Sequence, residues 1–468
     1  MAISAPTVRK PLSADALFGL LRTGFAAIAD QRPGKPDRAL TDALMAAFAM
    51  FSLKAPALLA FDPERTEGNL QRVYGSERVP CDTSRREILD PGAPESLCPL
   101  FKHVFRALQR GKALEEMVFV EGHYLLALDG PGYFSSQQIH CASCLERHLR
   151  NGTIPYSPQL LGAVLLHPDR RAVIPLMPEP IVNQDGTEKN DCERTAAKRL
   201  IGKLRQAHPP LKLSVTEDGL SANAPHIQVR RDHKLHYSGG GKEGDQGFLF
   251  ERGAAAERAG RVTYDERDDP ETGLRHRFRF VSDVPLTAAH ADLRVNFPEC
   301  WEWDGDTVPH FSWVTALRVN TGTVSQLMRG GRARWRIDNE PFNTLKNQGH
   351  HCEHNYGHGY QHLSLVFAVL MMLAFLVDQV QQLCCPLFQA VWAKLGSKRR
   401  LWERLRALFY DYALTSMRQL LEALLYGLKK STPIFAVDSS YSASRLGLCM
   451  PSDAMEPAHV PSPWRSCV

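Results

Sequence analysis

Two strand-length runs rich in apolar residues each end in an aspartate that is followed by glycine. The first, residues 124–128, leads into Asp129, and the second, residues 211–217, leads into Asp218. A carboxylate at the exit of a buried strand is costly unless something binds it. The alternative is an ordinary Asp-Gly turn, which is common at strand ends. A third carboxylate, Glu340, lies far downstream, and the three acids together predict a divalent-cation site. For the third position Asp338 and Glu353 compete with Glu340, and the alternative for Glu340 is a solvated carboxylate on a helix.

The elements around these runs follow the order of a mixed α/β fold. Residues 160–167 and 171–176 are apolar runs joined by a short turn, which predicts a hairpin. Residues 191–207 have the spacing of an amphipathic helix, and Pro209 and Pro210 stop it. We therefore expect a mixed sheet with helices packed on it.

Changes in hydrophobic pattern and composition divide the chain into five regions. Residues 1–120 are helical in pattern, residues 121–230 hold the first part of an α/β core, and residues 231–320 read as a β-rich insertion. Residues 321–430 are helical again and complete the core. Residues 431–468 are rich in Ser, Pro and Ala, and we expect them to be disordered because they bury too little apolar surface to offset the entropy of ordering.

The composition is that of a soluble globular protein. The chain has 468 residues, 44% of them hydrophobic and 23% charged, with a formal charge of +5. This charge permits nucleic-acid binding but does not argue for it alone. The eleven cysteines and the N-terminus, which lacks a signal-peptide pattern, favour reduced thiols and a cytoplasmic protein. The longest apolar run, residues 363–377, is too short to span a bilayer comfortably and predicts a buried helix rather than a membrane contact.

Several longer motifs carry a resemblance to a known family. The chain resembles the DDE transposases of bacterial insertion sequences, in the group with a Tyr-Arg-Glu-Lys signature, from about residue 70 to 430. The segments that carry the resemblance are Leu128-Asp-Gly130, Tyr133-Phe-Ser-Ser136, Asp191-Cys-Glu-Arg-Thr-Ala-Ala-Lys-Arg-Leu200, Arg334-Trp-Arg-Ile-Asp-Asn-Glu340, Phe342-Asn-Thr-Leu-Lys-Asn347 and Glu353-His-Asn-Tyr-Gly-His-Gly359.

The resemblance implies an RNase H-like mixed sheet, interrupted by the β-rich insertion and flanked by helical N- and C-terminal regions. It implies that Asp129, Asp218 and Glu340 are catalytic and hold two Mg²⁺ (or Mn²⁺) ions. Magnesium prefers oxygen ligands, and two such ions can clamp both oxygens of an in-line phosphoryl displacement. The implied partners are double-stranded DNA, as terminal inverted repeats and as target, and further copies of the chain on that DNA. The N-terminal region would recognise the DNA ends or support multimerisation.

The signature around the third acid departs from the family pattern. Arg336 precedes Glu340 by four residues, so on a helix the two would share one face. Ala333 stands where the family has tyrosine, and Lys346 follows Glu340 by six residues instead of seven. Pro341 is best tolerated in a first helical turn, so the helix is expected to begin near Asp338, which would leave Arg336 before it.

A separate group of residues has zinc-ligand types. His140, Cys141, Cys144 and His148 form a CxxC with a histidine on each side, which predicts a structural Zn²⁺ site after the first strand. The alternative is that these cysteines are small buried residues. The histidines of residues 350–358 favour a structural or DNA-facing turn over a metal site.

A run of basic residues lies beside Glu340. In a protein that grips DNA these side chains would meet phosphates and make binding strongly salt-dependent. The alternative is a solvated face or an internal ion-pair network. The residues are Arg329, Arg332, Arg334, Arg336 and Lys346.

Two rival functions remain open beside a transposase that cleaves element ends and transfers the 3′-hydroxyl strand. The first is a catalytically inactive, transposase-derived DNA-binding protein, which keeps the basic surfaces and needs no metal. The second is a zinc-dependent hydrolase built on the histidines of residues 350–358.

Overall fold

A computed structural model describes residues 10–34, 36–130, 135–141, 144–181, 193–217, 223–269, 272–305 and 307–427. The expected disordered tail, residues 431–468, lies outside the described residues. So does Asp218, one of the three predicted site carboxylates.

The N-terminal part is helical, as predicted. Its helices are α1 (Ala14–Ala26), α2 (Leu40–Ser52), α3 (Leu58–Phe61), α4 (Asn69–Tyr74), α5 (Asp82–Leu89) and α6 (Cys98–Arg110).

The middle of the chain supplies the strands and three helices. In order they are β1 (Tyr124–Asp129), β2 (Leu145–Glu146), β3 (Tyr156–Ser157), β4 (Gln159–His167), β5 (Arg170–Pro175), β6 (Glu179–Ile181), α7 (Glu193–Ala207), β7 (Leu213–Glu217), α8 (Ala224–Asp232), β8 (His236–Gly240), α9 (Gly247–Arg258), β9 (Thr263–Asp268), β10 (Arg275–Pro285), β11 (Arg294–Trp303) and β12 (His310–Thr315).

The C-terminal part is helical again. Its helices are α10 (Val324–Arg332), α11 (Asn343–Asn347), α12 (Leu363–Cys384), α13 (Pro386–Leu395), α14 (Lys398–Asp411) and α15 (Met417–Tyr426).

Within the described ranges, ten strands form one mixed sheet. Its order is β5-β4-β1-β7-β8-β12-β11-β10-β9, with β6 paired to β4. Strands β1, β7 and β8 run parallel to one another, and β4 is antiparallel to both β1 and β5. The predicted mixed α/β sheet is confirmed. The predicted hairpin is also confirmed, because β4 and β5 pair antiparallel and meet at His167 and Arg170.

The strands beyond β8 extend the same sheet. β12 pairs antiparallel with β8, and β11, β10 and β9 follow antiparallel in turn. Strand β8 lies within residues 231–320, yet it pairs parallel with β7 of the preceding region. The strand-rich stretch is therefore continuous with the central sheet through hydrogen bonding.

Helix α12 lies at the centre of the helical layer. It packs against α2 and β5. It is the one helix of the described chain that is long and apolar enough to cross a membrane, but 94% of its most apolar 18-residue window is buried within the fold. Packing in a protein core accounts for this composition, as predicted from the run of residues 363–377.

Candidate active site

The first predicted carboxylate lies at the end of an inner strand of the sheet, β1. Asp129 is the last residue of β1, and its Oδ1 accepts a hydrogen bond of 2.9 Å from the backbone N–H of Gly130. β1 and β7 pair in parallel register, with Ala127 opposite Thr216. The carboxyl ends of the two strands therefore share one edge, and β7 ends at Glu217, one residue before Asp218.

One guanidinium joins Asp129 to a second acid on a distant segment. Nη1 of Arg334 lies 3.3 Å from Oδ2 of Asp129, and Nη2 lies 3.8 Å from Oδ2 of Asp338. A Cβ atom built on Gly162, which pairs with Asp129, would lie 3.5 Å from the Asp129 backbone oxygen and 3.6 Å from the ring of Phe342. The segment 338–342 thus packs close to the strand end that carries Asp129.

The Glu340 carboxylate has a different setting. Its Oε1 lies 3.4 Å from Nε of Arg171, and its Oε2 lies 3.7 Å from Nζ of Lys398. Both cations also lie over the ring of Trp392, at 5.5 and 5.1 Å from its centroid. Burial lowers the pKa of the Lys398 ammonium. Glu340 is therefore held in a cationic pocket, whereas Asp338 shares Arg334 with Asp129.

Pro341 explains why this segment departs from simple helical spacing. Residues 338–342 form a π-helical turn with Pro341 inside, after a 3₁₀ turn at residues 333–335 and before α11. Proline lacks the N–H that an α-helix interior requires, and single π turns often occur at functional positions. Lys346 ends up 3.0 Å from Glu353, which it neutralises.

The basic run before Glu340 has partners inside the protein. Arg329 pairs with Asp169, Arg332 pairs with Glu302, and Arg336 donates to the backbone oxygen of Pro168. Burial lowers the pKa of the Arg336 guanidinium. With Arg334 on Asp129, all four arginines take part in internal contacts, which is the arrangement expected of an ion-pair network. Their predicted contact with DNA stays a prediction.

Sequence reasoning missed a buried charge cluster next to Asp218. Glu217 is buried and pairs with Arg230, and its two carboxylate oxygens lie 3.1 and 3.2 Å from Nε2 of His226. Both partners come from α8, which follows the strand end. The cluster anchors the chain on both sides of residues 218–222. The signal was a second acid in the strand pattern immediately before Asp218.

A second missed cluster lies in the helical layer. The ammonium of Lys54 lies 2.7 Å from Oδ2 of Asp378 on α12, and Nε2 of His350 lies 3.2 Å from the same oxygen. Burial, together with the nearby Lys54 charge, lowers the pKa of His350 to about 4. The imidazole is therefore neutral at pH 7, and the ion pair is between Lys54 and Asp378.

The predicted zinc ligands are only partly brought together. Cys141 and Cys144 have their sulfur atoms 3.9 Å apart, and the sulfur of Cys144 lies 3.1 Å from Nε2 of His358. His140 stacks on Tyr156 instead, and His148 is exposed and lies 3.6 Å from Glu146. The histidine that joins the cysteines belongs to residues 350–358, for which a structural or DNA-facing turn was the favoured prediction.

The histidines of residues 350–358 do not gather at one centre. His350 contacts Asp378 in the helical layer, whereas His358 contacts Cys144. This arrangement gives no support to a hydrolase built on the whole cluster.

No protein-family model matches the chain, and no curated protein matches it. The case for any function therefore rests on the residues and their geometry.

Proposed function

We propose that this protein is a metal-dependent DNA transposase of the DDE type, which cleaves phosphodiester bonds at the ends of a mobile element and joins the freed 3′-hydroxyl to target DNA. The observation that carries the proposal is the placement of Asp129. It ends strand β1, beside the parallel strand that leads to Asp218, and the acidic segment 338–342 packs against the same edge.

The sheet topology supports the proposal. Three antiparallel strands, β5, β4 and β1, are continued by β7 and β8 running parallel to β1. This order and these directions agree with an RNase H-like core. Ligands of open α/β sheets commonly lie outside the carboxyl ends of parallel strands, which is where Asp129 stands.

The donor set at this edge suits a hard cation. Carboxylate oxygens are the ligands that Mg²⁺ prefers, and Arg334 places a positive charge between Asp129 and Asp338. Bound Mg²⁺ ions would activate the attacking oxygen and stabilise the leaving one. Asp129 and Asp218 would hold them together with an acid of segment 338–342. Arg334 would then release Asp129 and become available to a DNA phosphate.

Two acids of the segment compete for the third position. Glu340 matches the family motif, but its carboxylate is neutralised by Arg171 and Lys398. Asp338 is linked to Asp129 through one guanidinium. We expect substitutions of these two acids to have different effects. At the acid that binds metal, the substitution should abolish cleavage, and at the other acid it should weaken the packing of residues 338–342.

The decisive experiment uses duplexes taken from the DNA that flanks the gene, where short inverted repeats are expected. Asp129→Asn should abolish Mg²⁺-dependent cleavage and leave duplex binding largely intact, because the amide removes an anionic metal ligand but few of the contacts that bind the DNA. Asp338→Asn and Glu340→Gln are compared beside it, with Glu353→Gln as the matched control because Glu353 is exposed and pairs with Lys346. Near-normal cleavage by Asp129→Asn would refute the proposed chemistry.

The pairing of the candidate acids with cations, Asp129 with Arg334 and Glu340 with Arg171 and Lys398, favours one alternative, an inactive DNA-binding protein. In that case the wild-type chain binds the flanking duplexes but does not cleave them in Mg²⁺ or Mn²⁺. A salt titration addresses the arginines themselves. If Arg332 and Arg334 contact phosphates, replacing both by alanine flattens the log–log salt dependence of binding by about 0.9 per lost contact. An unchanged slope means that the run acts as an internal ion-pair network and that DNA lies elsewhere.

A further inference from the structure

Three ligand atoms from two distant parts of the chain converge on one point. The sulfur atoms of Cys141 and Cys144 and a ring nitrogen of His358 all lie within 4.8 Å of one another. Cys144 and His358 are 214 residues apart in sequence. Cys144 and His358 are buried, and Cys141 is partly exposed.

We propose that Cys141, Cys144 and His358 bind one Zn²⁺ ion, which ties the stretch after β1 to the stretch before α12. Thiolate and imidazole donors are the ligand types that select zinc in structural sites. The proposal does not depend on the DNA chemistry proposed above, because a zinc site of this kind stabilises a fold whatever the fold does.

The distances fit a tetrahedral ion with a small adjustment. Zinc–sulfur bonds of ~2.3 Å and zinc–nitrogen bonds of ~2.0–2.1 Å place two sulfurs about 3.8 Å apart and a sulfur and a nitrogen about 3.6 Å apart. The two sulfurs of Cys141 and Cys144 are 3.9 Å apart, and Cys144 and His358 are 3.1 Å apart. Opening the second contact by about half an ångström, on the scale of those bond lengths, would admit the ion.

A backbone hydrogen bond links the two cysteines. The N–H of Cys144 donates a hydrogen bond of 3.1 Å to the backbone oxygen of Cys141. Directly afterwards, Leu145 and Glu146 form the short strand β2, which pairs with β3. The paired strands limit the movement of Cys144 relative to the rest of the stretch.

The histidine is positioned by a turn that is equally constrained. Gly357 and Gly359, on either side of His358, have positive φ angles of 139° and 68°. The Asp90 carboxylate accepts hydrogen bonds from four successive backbone N–H groups, at residues 360–363. A Cβ atom on Gly359 would clash with this carboxylate, so the turn requires glycine there.

The group supplies three protein ligands from the part of the chain that the structure describes. Zinc in proteins is usually four-coordinate, and three protein ligands leave one position for water. The partial exposure of Cys141 gives that position access to solvent. The ion would therefore clamp two segments together, with one face open to water.

The test begins with the full-length protein, purified without chelator. We expect about one zinc per chain, measured by elemental analysis, and a cobalt-substituted protein with the intense visible absorption and thiolate charge-transfer bands of a tetrahedral sulfur-ligated site. Cys144→Ser and His358→Ala should each lose most of the zinc. His148→Ala and Cys81→Ser are the matched controls, which should retain it, because His148 is exposed and Cys81 lies in the N-terminal helical region.

A second readout does not require the variants to fold. In the wild-type protein, zinc should protect Cys141 and Cys144 from alkylation, and removing the metal with a chelator should expose both to the reagent, as mapped by mass spectrometry. The proposal would be overturned if the wild-type protein did not hold stoichiometric zinc even after reduction and incubation with Zn²⁺. The same holds for a reversible Cys141–Cys144 disulfide that forms instead of a metal site, or for full zinc content in folded His358→Ala. Loss of zinc in His148→Ala would also overturn it, because His148 would then be a ligand, as the sequence predicts for the set His140, Cys141, Cys144 and His148.

Discussion

Replacing Asp378 by asparagine removes the negative charge that neutralises a lysine in the protein core. The Lys54 side chain has no exposed surface and that of Asp378 is 14% exposed, with 2.7 Å between the ammonium and the carboxylate. Removing one partner of such a buried pair costs about 3–5 kcal/mol. Lys54 keeps a hydrogen bond of 3.0 Å to the backbone oxygen of Ser52 and a contact of 4.2 Å with the Trp402 ring, so the lower half of the range is expected.

A ceiling on this cost follows from the ability of Lys54 to lose its proton. Burial already lowers the pKa of Lys54 in the wild-type protein. An ordinary lysine has a pKa of about 10.4, so holding Lys54 neutral at pH 7 costs about 4.6 kcal/mol, whereas at pH 9 it costs about 1.9 kcal/mol. The unfolded chain binds the proton that the folded variant has released, so the stability of the variant rises with pH across this window.

The assay is guanidinium unfolding of wild-type protein and Asp378→Asn at pH 7 and pH 9, with the midpoint and slope compared. We expect the variant to lose roughly 3–4 kcal/mol at pH 7 and about 2 kcal/mol or less at pH 9. The double variant Lys54→Met, Asp378→Leu should recover most of the loss, since apolar pairs of similar size often replace buried ion pairs without cost. A loss below about 1 kcal/mol at pH 7, or one that does not change with pH, would refute the reasoning.

Three further comparisons of variants test other parts of the fold. Asp90→Ala should lower the free energy of unfolding by about 3 kcal/mol, because four backbone N–H groups at the start of α12 lose a charged acceptor. Asp90→Asn should lower it by less, and equal stability of the two variants in urea unfolding would count against this account. Burial raises the pKa of the Glu64 carboxyl to about 7, so wild-type stability should fall as the pH rises from about 4.5 to 7. Glu64→Gln should be the more stable protein at pH 8 and about equal to wild type at pH 4.5. The same difference in melting temperature between the two proteins at both pH values would contradict this prediction. Gly331→Ala should destabilise the protein because the added Cβ clashes with the Trp313 indole, whereas Gly19→Ala, where the space is open, should stabilise α1 by up to about 1 kcal/mol. Thermal unfolding compares the two variants, and a stabilised Gly331→Ala would show that α10 has room for a Cβ at this position.

Local sequence patterns were sufficient for the elements whose residues lie close together in the chain. The hairpin of β4 and β5 follows from two apolar runs joined by a short turn, and α12 follows from the apolar run of residues 363–377. The position of Asp129 at a strand end follows in the same way, since the run before it has the length and composition of a buried strand.

Contacts between distant segments could not be read from those patterns. Nothing in the CxxC sequence indicates that His358, and not His148, completes the group, because the choice depends on how two distant stretches of the chain meet. The same holds for Asp338. A helical projection groups Arg336 with Glu340, but Pro341 imposes a π turn, and Arg334 is the residue that reaches Asp129. Sequence showed which acids were available, and tertiary packing decided their partners.

The side chain of Asn69 has a consequence for how this protein is made in the cell. Its amide nitrogen donates to the backbone oxygens of Phe409 and Tyr412, and its amide oxygen accepts from the N–H of Leu414. The closest of these partners is 340 residues away in sequence. At a ribosomal rate of ~5–20 residues per second, the partners of Asn69 emerge roughly 20–70 s after it does. Helix α12 is also made late in that interval, so the surface of α2 that packs against α12 stays uncovered for most of it.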